Sequence, residues 1–210
     1  GRIVLKSGAS LNGRSGSIDI VSTTSSVMSH SKPGGIAMHS GQSVLGDSGT
    51  LDFQTGNVVG GSLGSSGSIS IRTGSSAIRS GDILLRGGES SMSTGGGITI
   101  RSGKGETRMS GSVRILSSPS TTGTTGDVSI KTGDSGAQHK SGDMLLNTGS
   151  SEKVSGSISV HGGKSHAGVG SDLNLLAGSS DFETGGRFQV FTGSGRASSG
   201  GVIIKTSNGA

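Results

Sequence analysis

The chain has 210 residues, of which 43 are Gly, 28% are apolar and 2% are aromatic, and its formal net charge is +5. It contains no Cys, which excludes disulfides and thiolate metal sites. So few apolar side chains do not support an ordinary globular core, and the near absence of aromatic rings argues against a nucleic-acid partner that stacks its bases. No apolar run approaches the ~18 residues of a membrane span, so we expect no membrane insertion.

A short repeat recurs along the chain, and its clearest copy reads G-S-I-S-I-R-T-G at 67–74. Each of fourteen copies carries two apolar residues two positions apart, here called the apolar pair, and Gly, Ser and Asn clusters separate the copies. Most copies begin 14 to 16 residues after the previous one, and two begin 18 residues after it. Spacing by two places both side chains on one face of a strand, and the clusters predict turns. The first members of the pairs are Ile3, Ile18, Ile36, Leu51, Ile69, Ile83, Ile98, Val113, Val128, Met144, Ile158, Leu173, Phe188 and Val202.

Odd-numbered repeats place a basic residue directly after the apolar pair in six of seven cases. We call these residues the basic ladder: Lys6, His39, Arg72, Arg101, Lys131 and His161. Because this preference returns every second repeat, about 30 residues apart, it predicts a coil made of two 15-residue half-repeats. The predicted fold is all-β: one right-handed parallel β-solenoid (β-helix) over residues 1–210, with seven coils and two main sheets. A 15-residue coil with fourteen turns is the alternative.

Two links are three residues longer than the others, within 21–35 and 54–68, and are predicted to bulge from one edge. Apolar residues in the middle of other links suggest a second short strand there. These residues are Ile78, Met92, Val154 and Phe182.

The runs S-G-D-I-L-L-R-G-G-E-S-S at 80–91 and T-G-G-G-I-T-I-R-S-G at 94–103 carry a family resemblance. They resemble the Gly/Ser-rich β-solenoid arrays of very large secreted or surface proteins. These include bacterial adhesin stalks and the extracellular fibre or hair-like proteins of algae and other protists. The resemblance implies an extracellular or cell-surface location and an elongated structural role, and it brings no catalytic residues. We expect the chain to be a segment of a longer protein.

Two surfaces stand out from this background. The basic ladder is expected either to bind an anionic partner, such as acidic polysaccharide or carboxylates of a neighbouring fibre, or to be screened by solvent and nearby acids. The second surface, the apolar face, consists of residues predicted to point away from the core on even repeats, where a stacked row favours an interface. It comprises Leu84, Leu116, Leu145, Leu176 and Ile203, with Val21 in the same position.

Other motifs are explained more simply. Ser62 lies in a G-x-S-x-G match at 60–64, which chance produces easily in a glycine-dense link. The run 168–173 resembles a calcium nonapeptide only once, and no second carboxylate completes the row of Asp82, Asp143 and Asp172. The five histidines form no H-x-x-x-H pair and are expected on the surface. The sequence therefore predicts no enzyme activity, no metal and no cofactor.

The predicted function is that of a structural repeat segment of an extracellular fibre, appendage or stalk. It would associate end to end or laterally with other copies or other segments of the same fibre. The alternative is an adhesin-like module that binds glycans or ice. A regular Thr grid would favour ice, and the positions Ser70, Thr99, Ser129 and Ser159 form one only in part.

Overall fold

The computed structural model describes residues 2–9, 15–22, 34–59, 64–136 and 138–206. Within these ranges it contains neither helix nor strand, and most of the chain is irregular coil. The predicted parallel β-solenoid, also written above as a β-helix, is therefore wrong, because no strands pair into a sheet among the described residues. The second short strands predicted at Ile78, Met92, Val154 and Phe182 are absent as well.

The chain divides into two units, Gly1–Ser102 and Gly103–Ala210. In the first, short bends interrupt the coil at 44–46, 77–78 and 91–93. The second unit repeats this pattern, and its bends lie at 106–108, 121–123, 138–139, 152–153, 166–168, 181–183 and 196–197. Both units therefore alternate apolar pairs with short bent links. Of the two lengthened links, 23–33 and 60–63 lie outside the described residues.

Among the described residues, backbone hydrogen bonds close seven of the links into loops, and we call each such closure a loop neck. In the first unit the Gly96 amide donates to the Gly88 carbonyl at 2.8 Å, and in the second the Gly186 amide donates to Gly178 at 2.8 Å. Other necks join Gly16 to Gly8, Gly49 to Gly41, Gly111 to Gly103, Ser171 to Gly163 and Gly200 to Gly193. The necks that open at Gly88, Gly103, Gly163, Gly178 and Gly193 follow one another by multiples of 15 residues. Part of the repeat thus appears as closed loops, whereas no such hydrogen bond closes the described links 74–81 and 149–156.

Serine side chains shape the bends inside these loops. The Oγ atoms of Ser90 and Ser180 accept hydrogen bonds from the backbone amides three residues later, at 3.0 and 2.9 Å. Ser43, Ser120 and Ser165 do the same. A hydroxyl that binds a nearby amide competes with regular secondary structure. Serine in the links therefore favours a local turn over a strand.

No residue in the described ranges is buried. The chain exposes 22263 Å², whereas a folded monomer of this mass exposes about 8,900 Å² and an unfolded chain about 30,000 Å². Members of the apolar pairs keep much of their surface accessible, such as 54% for Ile98 and 67% for Ile100. Each repeat offers only a thin apolar layer, and no described residue is buried by stacking on it.

Loop entropy gives a physical reason for this arrangement. A loop neck joins residues about eight apart, whereas a solenoid coil must bring together residues about 30 apart. The longer closure costs about 1.2 kcal/mol more for each contact. The two apolar residues of each half-repeat must offset that difference in addition to the ordering of so many glycines, and the described chain does not form the longer closure.

The first prediction tests the neck at Gly88 and Gly96 by hydrogen exchange. A Cβ on Gly87 would collide with the carbonyl oxygen of Gly96, whereas a Cβ on Gly97 would meet nothing within 4 Å. We expect the Gly96 amide to exchange more slowly than the Gly97 amide in the parent chain. Gly87→Ala should abolish that protection, because the clash separates the two sides of the neck, and the control Gly97→Ala should retain it. Equal exchange in both variants would contradict the neck.

Candidate functional site

Every residue of the basic ladder lies two positions before the glycine that opens a link. Lys6, His39, Arg101 and His161 precede Gly8, Gly41, Gly103 and Gly163, each of which accepts a neck hydrogen bond. All six side chains are exposed. Four of the six ladder residues therefore mark loop entrances. Its predicted stacking in a parallel sheet has no support, because the described chain forms no sheet.

The ladder cations have no acidic partner in the described part of the chain. Three ion pairs occur there, Arg79 with Asp82 at 3.9 Å, Lys104 with Glu106 at 3.7 Å and Lys140 with Asp143 at 2.7 Å. All three are local, and none includes a ladder residue. Nearby acids therefore do not neutralise the ladder within the described ranges, which leaves solvent or an anionic partner.

The same ion pairs account for two residues of the aspartate row. Asp82 and Asp143 each face a cation three residues earlier in the chain, while Asp172 is not part of these pairs. Across the described ranges, no three His, Cys, Asp or Glu side chains come together as a group that could hold a metal ion. Ser62 and His30 lie outside the described residues.

The apolar face is strongly exposed. Leu145 is 80% exposed and lies between Met144 at 51% and Leu146 at 75%. The same order holds at Leu84, between Ile83 and Leu85. Leu116, Leu176 and Ile203 are at least 78% exposed. The apolar face is thus available for contact with a partner, but its predicted outward position is not distinguished from that of the apolar pairs, since Ile3 and Ile204 are 92% exposed as well. Its role in assembly stays a prediction.

The first unit contains an apolar cleft that the sequence analysis did not predict. Its volume is ≈ 510 Å³, and it lies between two consecutive repeats. One wall is Asp52, Phe53 and Gln54, and the other is Ile69, Ser70 and Ile71. The available signal was the lengthened link between these repeats, which gives their apolar pairs more freedom to separate.

No protein-family model, curated protein or solved structure matches this sequence. The resemblance to fibre and adhesin arrays therefore rests on the sequence pattern alone. Within the described ranges, no helix has the length and apolar character needed to cross a bilayer.

The second prediction compares two sets of three cations that change the net charge equally. Arg72, Arg101 and Lys131 belong to the ladder, and their joint replacement by Gln should weaken binding to immobilised heparin, used here as an acidic polysaccharide. Replacing the ion-paired Arg79, Lys104 and Lys140 by Gln should weaken it less, because these cations already face carboxylates. Retention would be measured as the eluting salt concentration. The same reduction in both variants would assign binding to net charge and not to the ladder.

Proposed function

We propose that this chain is a structural repeat segment of an extracellular fibre, appendage or stalk that self-associates laterally or end to end. The observation that supports this most strongly is the combination of a regular apolar repeat with the absence of any buried residue in the described ranges. A sequence that repeats apolar pairs at a constant spacing needs a surface to bury them against. The described chain does not provide that surface internally.

The energetic argument favours association with further copies. Burying an Ile side chain fully is worth about 1.5–3 kcal/mol relative to leaving it exposed. Ile98 keeps 54% of its surface accessible, so completing its burial is worth on the order of 1 kcal/mol. The translational and rotational entropy of association is lost only once for each pair of chains, whereas the gain from burial is summed over many repeats. The summed gain therefore exceeds the entropy loss. Repetition therefore favours assembly over an isolated monomer.

The extracellular or cell-surface location is supported by the resemblance of the runs at 80–91 and 94–103 to surface arrays. The abundance of Gly and Ser fits that class. Exposed loops with serine-stabilised bends are also suited to a surface that faces solvent.

A second function, binding of acidic polysaccharide, is favoured by the ladder cations at the loop entrances. Their lack of acidic partners in the described ranges leaves them available to an anion. This function is compatible with a fibre, because an adhesive fibre uses one surface for assembly and another for its ligand.

The third prediction tests assembly through the apolar face. Leu84, Leu116, Leu145 and Leu176 would be changed together to Ser. We expect the parent to sediment as a concentration-dependent assembly at low and high salt, because apolar contacts are nearly independent of salt, and the variant to sediment as smaller species.

A matched control removes the same number of exposed apolar residues from the links. Ile78, Met92, Val154 and Phe182 are at least 85% exposed, and their replacement by Ser should leave assembly intact. If the parent is a monomer at every concentration, the proposed function is wrong. If both variants lose assembly equally, association depends on overall hydrophobicity and not on the apolar face.

A further inference from the structure

We propose that the cleft between 52–54 and 69–71 is a docking site for an apolar-pair segment of a second copy of this chain, of the kind found at 97–101. This inference rests on the proposed self-association and names the contact that produces it. The site lies wholly within the unit Gly1–Ser102. The proposed occupant reads G-I-T-I-R and belongs to an odd-numbered repeat.

The walls of the cleft match such an occupant in chemistry. Phe53 stands on one side, and Ile69 and Ile71 stand on the other. Phe53 is 63% exposed and Ile71 69%, so the walls do not cover each other. A cleft of ≈ 510 Å³ falls in the range of ~300–1,000 Å³ typical of binding sites. The two Ile side chains of the occupant supply apolar surface for both walls.

Backbone groups add a second match. The backbone hydrogen bonds found among the described residues outside regular elements include none from 52–54 or 69–71. Within the described ranges, these amides and carbonyls therefore have no backbone partner of this kind, and a neighbouring chain would supply one. An added peptide segment gains affinity from main-chain hydrogen bonds and specificity from pockets that accept its side chains. An apolar pair with small residues around it satisfies both requirements.

Charge selects an odd-numbered repeat as the occupant. Asp52 lines the cleft and takes part in none of the three ion pairs of the described chain. Arg101 directly follows the apolar pair of the proposed occupant and is likewise not in those pairs. An occupant that carries its cation next to its apolar pair brings opposite charges together. Even-numbered repeats lack this consistent basic residue.

Site-directed disulfide formation between separate copies tests this docking. The chain has no native Cys, so each variant carries a single thiol. Ser70→Cys places it in the cleft with little change in volume, and Thr99→Cys places it in the occupant. The matched control, Thr122→Cys, lies in the bend at 121–123 and is also exposed. Pairs would be mixed under mild oxidation, and mixed dimers would be identified by mass.

We expect Ser70→Cys to form mixed disulfides with Thr99→Cys at least about tenfold faster than with Thr122→Cys, because docking holds the first two thiols together. Adding Asp52→Asn to the cleft variant should slow the reaction by about twofold to fivefold, the range of an exposed ion pair. Exchanging the charges, with Asp52→Arg in one copy and Arg101→Asp in the other, should restore the rate. Restoration separates charge pairing from a general structural effect.

One outcome is that Ser70→Cys forms disulfides with Thr99→Cys and Thr122→Cys at equal rates while the parent chain still sediments as an assembly. That result would overturn the docking inference and leave the proposed function standing. Dominant disulfides between two Ser70→Cys copies would overturn it as well, because they indicate contact between clefts. A parent that remains monomeric would overturn the proposed function, and the absence of mixed dimers would then overturn the docking with it.

Discussion

The loop neck is the interaction on which the rest of the described structure depends. In the neck at Gly88 and Gly96, two glycines approach so closely that the amide of one binds the carbonyl of the other at 2.8 Å. A Cβ on Gly96 would be crowded, at 3.0 Å from the Gly88 nitrogen, and a Cβ on Gly87 would collide with the carbonyl oxygen of Gly96, whereas a Cβ on Gly88 would meet nothing within 4 Å. Glycine is therefore needed for proximity at Gly87 and favoured at Gly96. Gly87, Gly88 and Gly96 do not have a φ angle in the left-handed region, whereas Gln138 does.

A structure of closed loops has a direct consequence for the apolar pairs. Each neck satisfies a backbone carbonyl and an amide locally, so the segments between necks have no hydrogen-bonded ladder to align them. Their apolar side chains then remain half exposed, as at Ile83 with 53%. The chain has the pattern of a core without the stacking that would complete one. The proposed association between copies would resolve this mismatch, because a second chain would supply both apolar surface and backbone partners.

The sequence predicted the repeat and the turns between its copies but not the way in which the repeats are arranged. Glycine after Arg101 and Lys131 was recognised as a turn signal, and the loop that opens at Gly103 closes within the next repeat. The β-solenoid was inferred from spacing by two, which indicates only that the two side chains of a pair would lie on the same face of a strand. Spacing by two does not indicate whether contacts between coils would offset the entropy lost when a coil of about 30 residues closes. Serine in the links correctly indicated turns, but the sequence analysis did not weigh the competition of the Ser90 and Ser180 hydroxyls with strand formation.

The candidate site was predictable to a similar extent. The basic ladder was identified by its position after the apolar pair, and its residues are exposed, four of them at loop entrances. The pairing of Asp82 with Arg79 and of Asp143 with Lys140 depends on three-residue separations inside links, which strand periodicity does not address. The cleft at Phe53 and Ile69 could not be predicted from the sequence, because it forms between two repeats. The ion pairs lead to a conclusion about charge. Local acids pair with cations in the links, the ladder residues take part in none of these pairs in the described ranges, and solvent or an anionic partner remains to neutralise them.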